Sequence, residues 1–156
     1  MTCAENIVKQ LKETKRRIAT AESCTGGMVA AAFTDIAGAS DVFDCGVVSY
    51  SNDIKAKLLD VPCGILEKYG AVSHQTACAM ARGALALSGA DIAVSTTGIA
   101  GPGGGSADKP VGLVYIGLAD SKEVRSFENH FSGTRQQIRQ QTVETALKLL
   151  EKYLNA

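Results

Sequence analysis

The chain has 156 residues, 46% of them hydrophobic and 21% charged, and its 16 Lys and Arg balance 16 Asp and Glu. A net charge of zero excludes a general nucleic-acid binder, which needs a cationic surface, and the length fits a single domain (residues 1–156) with one substantial core. The five cysteines are odd in number and form no C-x-x-C, and no leader-like or membrane-length apolar segment is present, so free thiols in a reducing cytoplasm are expected.

In chain order, residues 4–14 read as a helix with Ile7, Val8 and Leu11 on one face. Residues 17–21 form a strand, and residues 26–37 a second helix that Gly38 ends. Asp41 to Ser51 is strand-like, and Asn52 or Asp53 caps a short helix carrying Ile54, Leu58 and Leu59. Pro62 and Gly64 break that helix, and residues 65–69 add one further turn. Ser73 opens a longer helix that Gly89 stops. Asp91 to Thr97 is an apolar strand, followed by a glycine-rich loop from Gly98 to Lys109. Val111 to Ala119 is a continuous apolar strand, expected at the centre of the sheet and covered on both faces. A tight turn at Asp120–Lys122 leads to the strand Glu123–Phe131, and Thr134 to Leu154 is the last helix. This order predicts an α/β fold: a three-layer α/β/α sandwich with a mixed, mainly parallel sheet.

Chemistry concentrates in four stretches. In Ile18-Ala-Thr-Ala-Glu-Ser-Cys-Thr-Gly-Gly27 a strand turns into a helix, which sets small nucleophiles beside free N–H groups able to hold an anion. Ser23 taken alone reads first as a helix cap, but Cys24 or Thr25 could cap equally well, and Gly26 and Gly27 let a ligand approach the backbone. Cys24 is the rival nucleophile, yet cysteine enzymes pair the thiol with histidine, and the two histidines, His74 and His130, lie far from it in sequence. The same two residues argue against a zinc site and against a Ser-His-Asp triad. Cys24 therefore reads as a small buried residue.

The second stretch, Val48 to Lys55, again runs from a strand end into a helix, so Ser23, Tyr50 and Lys55 would all lie where α/β sheets collect ligands. A lysine held there can lose its proton and serve a serine hydroxyl as base. The third stretch, Ser95 to Gly105, holds five glycines between positions 98 and 105 but fits neither the phosphate-loop nor the dinucleotide fingerprint. In the fourth, Phe131 to Arg139, either Ser132 or Thr134 would cap the last helix, and Arg135 and Arg139 share a face that suits an anion.

These stretches together resemble the family of the CinA C-terminal domain, whose enzymatic members are nicotinamide mononucleotide deamidases. The resemblance rests on Ala21-Glu22-Ser23-Cys24-Thr25-Gly26-Gly27, Tyr50-Ser51-Asn52 with Lys55, Gly70 to Ser73, Gly98 to Pro102 with Gly104-Gly105, Lys109 to Gly112, and Phe131-Ser132-Gly133 with Arg135. It covers roughly residues 5–150 and implies hydrolysis of the carboxamide to nicotinic acid mononucleotide and ammonia, in pyridine nucleotide salvage. It places the family's serine on Ser23, its lysine base on Lys55, and a tyrosine beside them on Tyr50.

With this, the reading of the residues assigns the oxyanion to the N–H groups of Thr25 and Gly26 and substrate contacts to Thr97, Gly98, Gly101 and Arg135, with Glu22 set either to orient the turn or to hydrogen-bond a polar substrate group. It calls for no metal and no cofactor, and for a small nucleotide as partner rather than nucleic acid or membrane. The oligomeric state is left open, a homodimer among the options. One rival is a non-catalytic nucleotide-binding module linked to competence. Another is a Ser-Tyr-Lys reductase, disfavoured because Tyr50 and Lys55 are five apart and the dinucleotide fingerprint is missing.

Overall fold

Strand β1 (Ile18–Glu22) is buried along its whole length and lies between two parallel neighbours, β2 (Phe43–Val48) and β3 (Ile92–Gly98). An antiparallel hairpin, β4 (Leu113–Asp120) and β5 (Val124–His130), completes a five-stranded sheet in the order β2-β1-β3-β4-β5. Only β4 runs against the others, so the expected mixed, mainly parallel sheet holds. The structure is a computed structural model that describes residues 1–156.

Helices α1 (Cys3–Thr14), α2 (Met28–Thr34) and α6 (Arg135–Leu154) pack together on one face of the sheet. Helices α3 (Asn52–Leu59), α4 (Cys63–Tyr69) and α5 (His74–Ser88) cover the other, giving the expected α/β/α layers. Thr2 with Glu5 and Thr134 with Gln137 form capping boxes at the starts of α1 and α6, so Thr134 rather than Ser132 caps the last helix. No helix is long and apolar enough to cross a membrane.

Three expectations need correcting. Strand β4 is not the centre of the sheet but its fourth member; it is buried because α5 and α6 lie over its two faces. Helix α2 begins two residues later than expected, because Gly26 and Gly27 take φ of +57° and +106°, outside helical space, and it stops at Thr34. Ser51, not Asn52 or Asp53, caps α3 through its hydroxyl, 3.2 Å from the Ile54 N–H.

Strand alternation sorts β1 between the two layers. Ile18 joins the core formed with α1, α2 and α6, while Ala19 and Ala21 join the core under α3 and α5. Helix α5 comes very near its neighbours. A Cβ on Gly117 would stand 2.5 Å from the Ala77 carbonyl oxygen, and one on Gly83 only 2.0 Å from that of Leu59 on α3. Glycine at these positions lets α5 lie backbone to backbone against β4 at Gly117 and against α3 at Gly83.

Candidate active site

The pairing of the sheet continues past the end of β1. The Ser23 N–H donates to the Thr96 carbonyl and the Ser49 N–H to the Glu22 carbonyl, both at 2.9 Å. Alternation then sends Ser23 towards the layer that holds α3. Lys55 on α3 meets it there, its Nζ 3.1 Å from Ser23 Oγ and 3.1 Å from the Tyr50 carbonyl oxygen. Ser23 is 8% exposed and Lys55 1%. Lys55 is in no salt bridge. Burial lowers its pKa from the ordinary lysine value, with the neighbouring Cys24 thiol opposing. A buried amine that meets only a hydroxyl and a carbonyl gives up its proton readily, and once neutral it can accept the serine proton across the same contact.

Glu22, expected either to orient the turn or to touch substrate, does the first: it is turned into the protein. Its Oε1 accepts from the Thr25 hydroxyl at 2.5 Å and the Val29 N–H at 2.8 Å, and its Oε2 from the Ala30 N–H at 3.0 Å. It therefore supplies the cap of α2, a task that Gly27 at the N-cap cannot perform and for which Ser23, Cys24 and Thr25 were all candidates. The Thr25 hydroxyl also bonds that of Thr96, at 2.7 Å, which ties the turn to β3. Cys24 packs with Val114, Ile116 and Ile138, and burial pushes its thiol up to about 12. It stays a neutral, buried residue, as expected.

The two N–H groups expected to serve an oxyanion differ in availability. The Thr25 N–H bonds to no backbone acceptor, although the residue is wholly buried, whereas the Gly26 N–H donates to the Ser23 carbonyl at 3.1 Å. The neighbouring Gly27 N–H, not singled out in the sequence, bonds to no backbone acceptor and belongs to a half-buried residue. Arg139, expected to share an anion site with Arg135, faces the turn: its Nε donates to the Cys24 carbonyl at 3.0 Å and its Nη2 to that of Thr25 at 3.2 Å.

Around this centre the other expected residues divide. Tyr50 is 61% exposed and its hydroxyl accepts from Arg135 Nη2 at 2.9 Å, so the Tyr50 carbonyl, not its phenol, contacts Lys55. Arg135 Nη1 donates to the Gly101 carbonyl at 2.8 Å, linking the glycine-rich loop to Tyr50. The Thr97 hydroxyl is spent on the Ala71 carbonyl at 2.7 Å, and a Cβ on Gly98 would stand 2.6 Å from the Val114 side chain. Both positions thus have a structural use. The loop is braced from within, the Ser106 N–H donating to the Lys109 carbonyl and the Lys109 N–H to Ser106 Oγ.

Two hollows of the surface lie away from this centre, one beside Arg16, Asp120 and Tyr153 and one beside His74, Cys78 and Arg82. Neither includes Ser23 or Lys55, which meet at the end of β1, where Tyr50 contacts Lys55 through its carbonyl and Arg135 through its hydroxyl.

Comparison with known proteins gives one consistent picture. The family model described as the CinA C-terminal domain matches residues 1–154. A CinA-like protein of Endomicrobium trichonymphae is 54% identical over 155 residues, which are 99% of this chain and 36% of that protein. A CinA-like protein of Chlorobium limicola is 50% identical over 98% of this chain and 37% of its own length. The chain thus spans about a third of these curated relatives. Among solved structures, the competence/damage inducible protein CihA from Agrobacterium tumefaciens superposes with a TM-score of 0.95 at 47% identity, covering 99% of this chain and 94% of that one. A CinA superfamily protein from Klebsiella pneumoniae gives 0.95 at 33% identity, over 98% of this chain and 96% of that one.

Proposed function

This chain belongs to the CinA C-terminal domain family, and from that premise we propose that it is an amidohydrolase that converts nicotinamide mononucleotide to nicotinic acid mononucleotide and ammonia. The observation that carries the reading is the buried contact between Lys55 Nζ and Ser23 Oγ. Ser23 Oγ attacks the carboxamide carbon while neutral Lys55 takes the hydroxyl proton. The tetrahedral intermediate collapses as the Lys55 ammonium returns that proton to the leaving nitrogen, and ammonia departs. Water then attacks the acyl ester as Lys55 takes its proton, and the Lys55 ammonium returns that proton to Ser23 Oγ as the ester C–O bond breaks and the acid leaves, regenerating neutral Lys55 and the Ser23 hydroxyl. The donors offered to the oxyanion are the backbone N–H groups of Thr25 and Gly27, which have no backbone partner, whereas that of Gly26 donates to the Ser23 carbonyl. Arg135, at the mouth of the site with Gly101 and Tyr50, is the cation offered to the substrate phosphate.

The test is direct. Purified protein incubated with nicotinamide mononucleotide in the presence of a metal chelator is expected to release ammonia and the acid mononucleotide in equal amounts. Binding of the mononucleotide without turnover would favour a regulatory nucleotide-binding module instead. Absorbance change with a nicotinamide dinucleotide would favour a reductase.

A further inference from the structure

We infer that Arg139 is a positioning residue for Ser23, holding the turn that presents the nucleophile rather than binding the substrate phosphate; this rests on the amidohydrolase reading. Its Nε and Nη2 donate to the carbonyls of Cys24 and Thr25, the two residues that follow Ser23. A peptide group is planar, so a carbonyl held in place also fixes the N–H on the far side of the same plane. Holding the Thr25 carbonyl orients the Gly26 N–H, which donates back to the Ser23 carbonyl. The guanidinium thus reaches the nucleophile's own backbone through two peptide groups.

The neighbourhood fits this role. Ile138, the preceding residue on α6, packs against Cys24 in the core, which sets Arg139 at the turn with little freedom to swing away. Gly26 takes a φ of +57°, and a Cβ there would come within 3.3 Å of Arg139 Nη2. The turn is therefore shaped to admit the guanidinium. From the opposite side Glu22 holds the Thr25 hydroxyl and the start of α2. Ser23 is clamped between a carboxylate in the fold and a cation at the rim. Arg135, four residues earlier, instead bonds the Gly101 carbonyl and the Tyr50 hydroxyl. The two arginines share a helix face and do different work.

The experiment compares wild type with Arg139→Gln in two assays. One is steady-state ammonia release from nicotinamide mononucleotide; the other is the rate at which a simple alkyl fluorophosphonate, which carries no nucleotide phosphate, labels Ser23. Both kcat and the labelling rate are expected to fall roughly tenfold to a hundredfold, as for a small misplacement of a reacting group, with KM within about threefold of wild type. A variant with a raised KM but normal kcat and labelling rate would overturn the inference by making Arg139 a substrate ligand. Unchanged values in both assays would overturn it by making the two hydrogen bonds incidental. Arg139→Lys keeps the charge but cannot hold both carbonyls with one planar fork; it is read by the same criteria if Arg139→Gln does not fold. A wild type that neither releases ammonia nor takes the probe would remove the amidohydrolase reading, an outcome distinct from a loss confined to the variants.

Discussion

A lysine that is 1% exposed and meets only a hydroxyl and a carbonyl weighs on the folded state for as long as it keeps its charge. Its pKa is lowered in the fold, so the unfolded chain binds the proton more tightly, and stability rises with pH between the folded and the unfolded value. Lys55→Met is therefore expected to stabilise the protein at neutral pH by about 1–3 kcal/mol, the usual gain when a buried ion gives way to an apolar side chain. The gain should shrink as pH climbs towards the ordinary lysine value, where both states are neutral; chemical denaturation across the alkaline range measures it. The same lowered pKa predicts that kcat rises with pH on a limb below the ordinary lysine range. Glu22 works in the opposite sense. Glu22→Gln places an amide against one of the three donors that its carboxylate satisfies, and a loss of about 1–3 kcal/mol in denaturant titration is expected.

At the scale of elements, the site depends on how closely α3 lies against α5. A Cβ on Gly83 would stand 2.0 Å from the Leu59 carbonyl of α3, so Gly83→Ala must push that helix, and Lys55 with it, off its seat. We expect a destabilisation of about 1–3 kcal/mol and a fall in kcat larger than any rise in KM, measured by thermal unfolding and by ammonia release. Much of this level was legible in the sequence. The strand-to-helix turns at Ser23 and before Lys55 follow from apolar runs that end in small polar residues, and both sit at the ends of neighbouring parallel strands. That Glu22 orients the turn was one of two options open in the sequence; that it does so by capping α2 was not legible, because its hydrogen bonds reach seven and eight residues ahead, past two glycines. A signal existed: a helix that opens on Gly27 has no capping side chain of its own and must take an acceptor from elsewhere. The place of Arg139 could not be read, since its partners lie more than a hundred residues away.

Over the whole molecule, the layer order followed from alternating helices and strands, whereas the position of β4 did not. An apolar strand next to an edge strand looks like a central one whenever helices cover both its faces, as α5 and α6 do here. The sandwich brings one residue from the end of β1 and one from the start of α3 into contact, and this contact is the centre of the functional account. The chain spans about a third of its curated relatives, so its activity is best measured on this domain itself. The decisive measurement is the rate of ammonia release from nicotinamide mononucleotide by wild type, Ser23→Ala and Lys55→Met, each checked for cooperative unfolding. The account predicts turnover by the wild type and a loss on the order of a thousandfold or more in each folded variant. Full activity in Ser23→Ala would contradict it and move the nucleophile elsewhere.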